Sequence, residues 1–197
     1  MNIFSDISQA CSQSLNSFGI NADCYLVPGG IGIKFNAKNQ KNLQILIDLP
    51  VVELDLSKLD KFDFSYLNPA KITSIILPPN YSGSFKDLEV FKLEKLRVTN
   101  ALASDFENLS MQPIEELKLS GSKVDSLRFC SEMPLSNLDI SNTKVADLSP
   151  IKDAKICSLN LAKTNVSEIS CLKTKHFEQI NLSATKIYDI EPISDSK

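Results

Sequence analysis

Apolar residues recur through most of this chain at a fixed interval of 21 residues. In the segment Pro134 to Ala154, Leu138 and Ile140 bracket one polar position, Thr143 and Val145 follow, and Leu148, Pro150 and Ile151 close the unit. One interval on, Leu159, Leu161, Thr164, Val166, Ile169 and Leu172 stand in the same columns. The next interval holds Ile180, Leu182, Thr185, Ile187, Ile190 and Ile193. Moving back, Leu117, Leu119, Ser122, Val124, Leu127 and Cys130 match without a gap. The strand pair can be followed to Leu54 and Leu56, so seven units run from Val51 to Lys197. A fixed period in the twenties means a solenoid, in which each unit buries its apolar face against its neighbours.

Two columns carry further expectations. Phe64, Phe85 and Phe106 precede Leu127, Leu148, Ile169 and Ile190 in one of them. Phe85 is therefore expected to be buried between the other two rings. The second column turns from Leu59, Asn80 and Ala101 to Ser122, Thr143, Thr164 and Thr185. A hydroxyl where the chain leaves the strand can bond backbone groups that the strand ladder leaves unsatisfied.

Residues 1 to 50 do not follow the period. Ile3, Phe4, Ile7, Ala10, Cys11, Leu15 and Phe18 have helical spacing, which predicts an amphipathic helix ending near Gly19. Its polar face lacks Lys and Arg, so it reads as a docking cap, not a membrane-surface anchor. Three strand-like runs follow: Cys24 to Val27, Ile31 to Asn36 and Leu43 to Leu49. Pro28-Gly29-Gly30 reads as a hairpin turn, since a phosphate cradle would need different glycine spacing and a following helix. A helix on a small antiparallel unit suits the open end of a solenoid.

The string L-x-x-L-x-I-x-x-T-x-V-x-D-L-x-P-I, from Leu135 to Ile151, resembles a leucine-rich repeat. It is closest to the short bacterial kind, with threonine where many relatives place asparagine. The resemblance covers Val51 to Lys197 and is strongest from Ile114 to Ile193. It implies an α/β repeat fold: a right-handed solenoid with a parallel sheet on the concave face and short irregular or 3₁₀ segments opposite. A small α+β cap over residues 1 to 50 completes that expectation. The resemblance also implies a protein partner, because leucine-rich repeat proteins mostly bind other proteins.

Composition narrows the chemistry. A net charge of -3 gives no reason to expect nucleic acid or an anionic membrane surface as partner. No apolar run approaches ~18 residues, and the N-terminus lacks the basic lead-in of a secretory signal. The five cysteines, at 11, 24, 130, 157 and 171, show no C-x-x-C spacing. Free thiols without an export signal predict a reducing, cytoplasmic setting. The single histidine, His176, has no nucleophile that the sequence pairs with it, and no H-x-x-x-H occurs. No catalytic group, cofactor or metal site is expected. Asp125, Asp147, Glu168 and Asp189 read as one acidic column of the repeats, and Lys123, Lys144 and Lys186 beside it favour a turn-capping edge over a cation ladder.

What remains is surface. In an L-x-L strand the residues between and beside the apolar pair face the concave side. The last three rungs offer only short polar residues there, whereas interface anchors are enriched in Tyr, Trp and Arg. Repeats 2–4 and their loops supply Ile76, Tyr81, Lys95, Arg97, Leu102 and Lys118, the candidate partner-binding residues. The alternative is a structural spacer or assembly unit. Its final rung keeps the full apolar pattern, with Ile180, Leu182 and Ile187 as an assembly edge for further chain or for a second copy in a homodimer.

Overall fold

The computed structural model describes residues 3–173 and 175–194, of residues 3–5 the backbone alone. The expected inward packing of Ile3 and Phe4 lies outside the described side chains, as do residues 195–197 of the final repeat. The chain forms two compact units, Met1–Pro78 with Val90–Leu93, and Pro79–Glu89 with Glu94–Lys197.

The first unit opens with α1 (Ile3–Ser17), then β1 (Ala22–Val27) and β2 (Gly30–Phe35). Gly19, at φ +80°, ends the helix. The Ile20 N–H reaches back to the Leu15 carbonyl (3.0 Å), and both side chains are buried. This is the Schellman ending that a glycine after an apolar helix face allows. The Ser12 hydroxyl accepts from the Cys24 N–H at 2.8 Å and so ties α1 to β1. A disulfide joins Cys11 to Cys24 beside it, with the Cα atoms 5.9 Å apart. This corrects the free-thiol expectation. An odd count leaves a cysteine over without forbidding a bridge, and the thiols no longer argue for a reducing compartment. Cys130 (buried), Cys157 (exposed) and Cys171 (half-buried) are free.

β1 and β2 form the expected antiparallel hairpin around Gly29, at φ +86°. The third run is no strand: Leu43–Asp48 is a 3₁₀ helix. Asn42, at φ 58°, turns the chain into it, and Leu43 and Leu46, three residues apart, point into the core. A short apolar run cannot distinguish the two conformations by its period. β2 therefore pairs directly, and in parallel, with β3 (Val51–Asp55), which pairs with β4 (Ser74–Ile76). Leu54 stands opposite Ile75, so the 21-residue interval is the strand register. Phe64 is half-buried, with Phe62 at 5.4 Å and Phe91 at 6.0 Å between ring centres.

In the second unit, β5 (Lys95–Arg97), β6 (Glu116–Lys118), β7 (Asn137–Asp139), β8 (Ser158–Asn160) and β9 (Gln179–Asn181) are parallel neighbours. Leu96, Leu117, Leu138, Leu159 and Ile180 stand in one row across them. Short 3₁₀ turns lie between the strands, at Phe85–Leu88, Phe106–Leu109 and onward. Phe85 is fully buried, but its ring neighbours in this unit are Tyr81 (5.7 Å) and Phe106 (5.1 Å). The ring ladder continues to Phe129, which lies two residues past its expected column.

Three columns organise the turns. The hydroxyls of Thr143, Thr164 and Thr185 donate to the carbonyls of Ile140, Leu161 and Leu182 at 2.7, 2.7 and 2.8 Å. The preceding column, Asn100, Gly121, Asn142, Lys163 and Ala184, has positive φ in every repeat from β5 onward. That left-handed step turns the chain out of the strand. The acidic edge is a capping column, and Ser126, not Asp125, is its member in register. The side chains of Ser84, Ser126, Asp147, Glu168 and Asp189 each accept from the N–H two residues on. Each bond tightens the entry to a 3₁₀ turn; Ser84 stands at the N-cap itself, and the other four one residue before it.

Candidate partner-binding face

The last residue of each short strand explains why one part of the sheet face differs from the rest. Asp55, Asp139, Asn160 and Asn181 fold their side-chain oxygens onto the N–H groups of Ser57, Ser141, Ala162 and Ser183, at 2.9 to 3.1 Å. These side chains are consumed by their own turns. Ile76, Arg97 and Lys118 occupy the same column and have no acceptor, so they cannot close that bond.

Lys95 and Arg97 of β5 are exposed, and Glu116 and Lys118 of β6 are half-buried beside them. Lys118 Nζ lies 2.7 Å from Glu116 Oε1, whereas the Arg97 guanidinium is 3.7 Å away, an ion pair without a hydrogen bond. Burial pushes the Glu116 carboxyl up, but the Lys118 bond and the charges of Lys118, Lys95 and Arg97 outweigh it and hold it below the usual range. Glu116 stays ionised and fixes Lys118.

The structure thus brings Lys95, Arg97 and Lys118 together. Tyr81 and Leu102 meet in the adjoining loops, where the Leu102 N–H donates to the Tyr81 carbonyl at 2.8 Å. Tyr81 is half-buried, packs on Phe85, and gives its hydroxyl to the Ser84 carbonyl at 3.0 Å. Burial, with Asp87 and Asp105 nearby, pushes its phenol up to about 12. Leu102 is 48% exposed and presents an apolar edge to solvent. Ile76 is half-buried on β4, in the other unit.

Other features have no counterpart in the sequence reading. A concavity of about 330 Å³ lies over β6–β9, lined by Lys118, Asn137, Asp139, Asn160, Gln179 and Asn181. The short polar residues that make those rungs poor in anchors also make the hollow. Tyr25 lies over Gly32 of the paired strand, where a Cβ would come within 2.2 Å of its ring. Burial, Glu53 and Asp55 push its phenol up to about 12. The signal was a tyrosine and a glycine in hairpin register. His176 is exposed and lines a cavity of about 360 Å³ with Cys157 and Lys175. Among the described residues no group of three His, Cys, Asp or Glu could hold a metal ion, and no helix is long and apolar enough to cross a membrane.

The assembly-edge residues Ile180, Leu182 and Ile187 are half-buried, and beside them Tyr188 is 88% and Ile190 59% exposed. In the preceding rung, the N–H groups of Leu161 and Lys163 donate to Asn181 and Ser183. Their counterparts on Leu182 and Ala184 meet no acceptor among the described residues.

No protein-family model matches the chain, and no curated protein matches it. Among solved structures, it is similar to internalin C2 from Listeria monocytogenes, with a TM-score of 0.62 and 19% identity, over 86% of this chain and 77% of that one. It is also similar to the internalin InlF from the same organism, with a TM-score of 0.58 and 22% identity, over 79% of this chain and 54% of that one. At such identities the likeness is one of fold. The chain folds as a right-handed leucine-rich-repeat solenoid of parallel strands with a small α+β cap at its N-terminus, the architecture that the repeat string implies.

Proposed function

We propose that this chain is a non-catalytic module that binds a protein partner through the sheet face of β5 and β6 and the loops beside them. The leucine-rich-repeat fold is one that serves protein interaction generally. The observation that carries the finer reading is the column at the end of each strand. Where its members are Asp or Asn they cap their own turns, and where they are Arg97 and Lys118 they project. Lys95 and Leu102 add a cation and an apolar edge to the same surface, and Tyr81 holds the loop from beneath. Affinity capture with the whole chain as bait tests the reading. A specific protein should be retained by the parent and by His176→Ala, and lost on Arg97→Glu and on Leu102→Asp. Undiminished capture by both face variants would refute it.

One observation favours a second reading, assembly through the final rung. Tyr188 and Ile190 are exposed beside the N–H groups of Leu182 and Ala184, which have no acceptor among the described residues, and such an edge is a template for another strand. Light scattering across the micromolar range should then show a dimer that Leu182→Lys dissolves. A monomer throughout would remove this reading.

A further inference from the structure

Resting on the face reading, we propose that the occupant of β5–β6 is an acidic, extended stretch of polypeptide whose carboxylates are taken up by Arg97 and Lys95. The chain as a whole carries -3, yet this face sets three cations against Glu116. Glu116 is committed to Lys118 at 2.7 Å, and at 3.7 Å it leaves the Arg97 fork, 47% exposed, without a hydrogen-bonded carboxylate. Lys95 forms no salt bridge with any described residue. Two uncompensated cations therefore stand on one strand, two residues and roughly 6.7 Å apart. Alternate side chains of an extended peptide repeat at the same distance. Arg97 offers the planar, two-pronged geometry that a carboxylate matches, and Lys95 a point charge.

Other anions fit less well. Nucleic acid is held by several phosphate contacts at once, and its bases favour aromatic platforms. This face has two open cations and no aromatic side chain, and exposed Glu94 and Glu115 flank the starts of the same strands. A lipid surface would lay many headgroups over the face at once and so meet Glu94 and Glu115 too, whereas an extended peptide needs only the line through Lys95 and Arg97. A peptide instead can continue from Lys118 into the hollow over β6–β9. There the Asn137 and Gln179 amides suit main-chain groups, and the carboxylate of Asp139 already accepts from the Ser141 N–H.

Fluorescence anisotropy with labelled hexaglutamate tests the proposal, with hexalysine, an oligothymidylate and phosphatidylserine vesicles as comparison probes. Hexaglutamate should bind best, and its affinity should fall as salt rises. Lys95→Glu and Arg97→Glu should each weaken it about tenfold or more, as losing one member of a close charge pair does. Arg97→Lys should cost less, and Lys186→Glu, outside the face, nothing. The substituted side chains are exposed, and unchanged melting curves would show that the fold survives. Equal affinity in the parent and both reversal variants, or no hexaglutamate binding, would overturn the proposal. So would oligothymidylate or vesicles bound as tightly as hexaglutamate. If capture of a protein partner were still lost on Arg97→Glu while hexaglutamate failed to bind, the face reading would stand and the acidic partner would fall.

Discussion

Thr164 makes a bond that a valine of the same shape could not. Its hydroxyl donates to the Leu161 carbonyl at 2.7 Å inside a buried turn. Thr164→Val should lower stability in urea melts by about 1 kcal/mol, the worth of one intramolecular bond. One residue earlier, Lys163 holds φ at 58°, a region that side chains with a Cβ resist and asparagine tolerates. Lys163→Asn, the residue found at positions 100 and 142, should raise stability by about 0.5–1 kcal/mol in the same melts. The two neighbouring columns were unequally legible. Ser122 and three threonines announce a hydroxyl role, because one chemistry repeats. The left-handed column hides behind Lys163 and Ala184, although Asn100, Gly121 and Asn142 already carried the signal.

At the scale of the element, side chains start the turns and cross-links position the cap. Asp105 reaches back one repeat, accepting from the Ser84 hydroxyl at 2.6 Å and the Phe85 N–H at 3.1 Å, and also from the Asn108 amide at 2.8 Å. Burial pushes its carboxyl up, but these bonds outweigh it and hold it below the usual range. A depressed folded pKa contributes stability above the unfolded value, lost as pH falls through the folded one. Asp105→Asn should therefore cost about 1 kcal/mol at neutral pH. The gap from the parent should close below about pH 4, measured as denaturant midpoints at both ends of the range. In the cap, Cys11 and Cys24 close a loop with a sequence separation of 13. Cys11→Ser, or a reductant, should lower the midpoint by the roughly 3 kcal/mol that a loop of such length is worth. Neither this bridge nor the 3₁₀ helix Leu43–Asp48 could be read beforehand. Pairing needs two elements placed together, and LQILID has too few residues to reveal a period.

At the scale of the molecule, the repeat was legible because every unit must present the same columns to its neighbours, from Leu54 to Ile180. The face was legible in part. Arg97 and Lys118 stand out of their column in the sequence, whereas the hollow over β6–β9 depends on side chains turning back onto their own strands. The same nearest-neighbour pairing governs how the second unit opens. β6, β7 and β8 each have a strand on both sides there, and among the described residues β9 has β8 alone. Releasing the last rung breaks one interface, and releasing an inner one breaks two. Amide hydrogen exchange under native conditions should follow that difference. The Leu161 and Lys163 N–H groups, bonded to the last rung, should exchange well ahead of those of Leu119 and Gly121, bonded to β7 and the residue just past its turn. Uniform protection along the rungs would instead mean that the whole unit opens at a single step, with no fraying from its end.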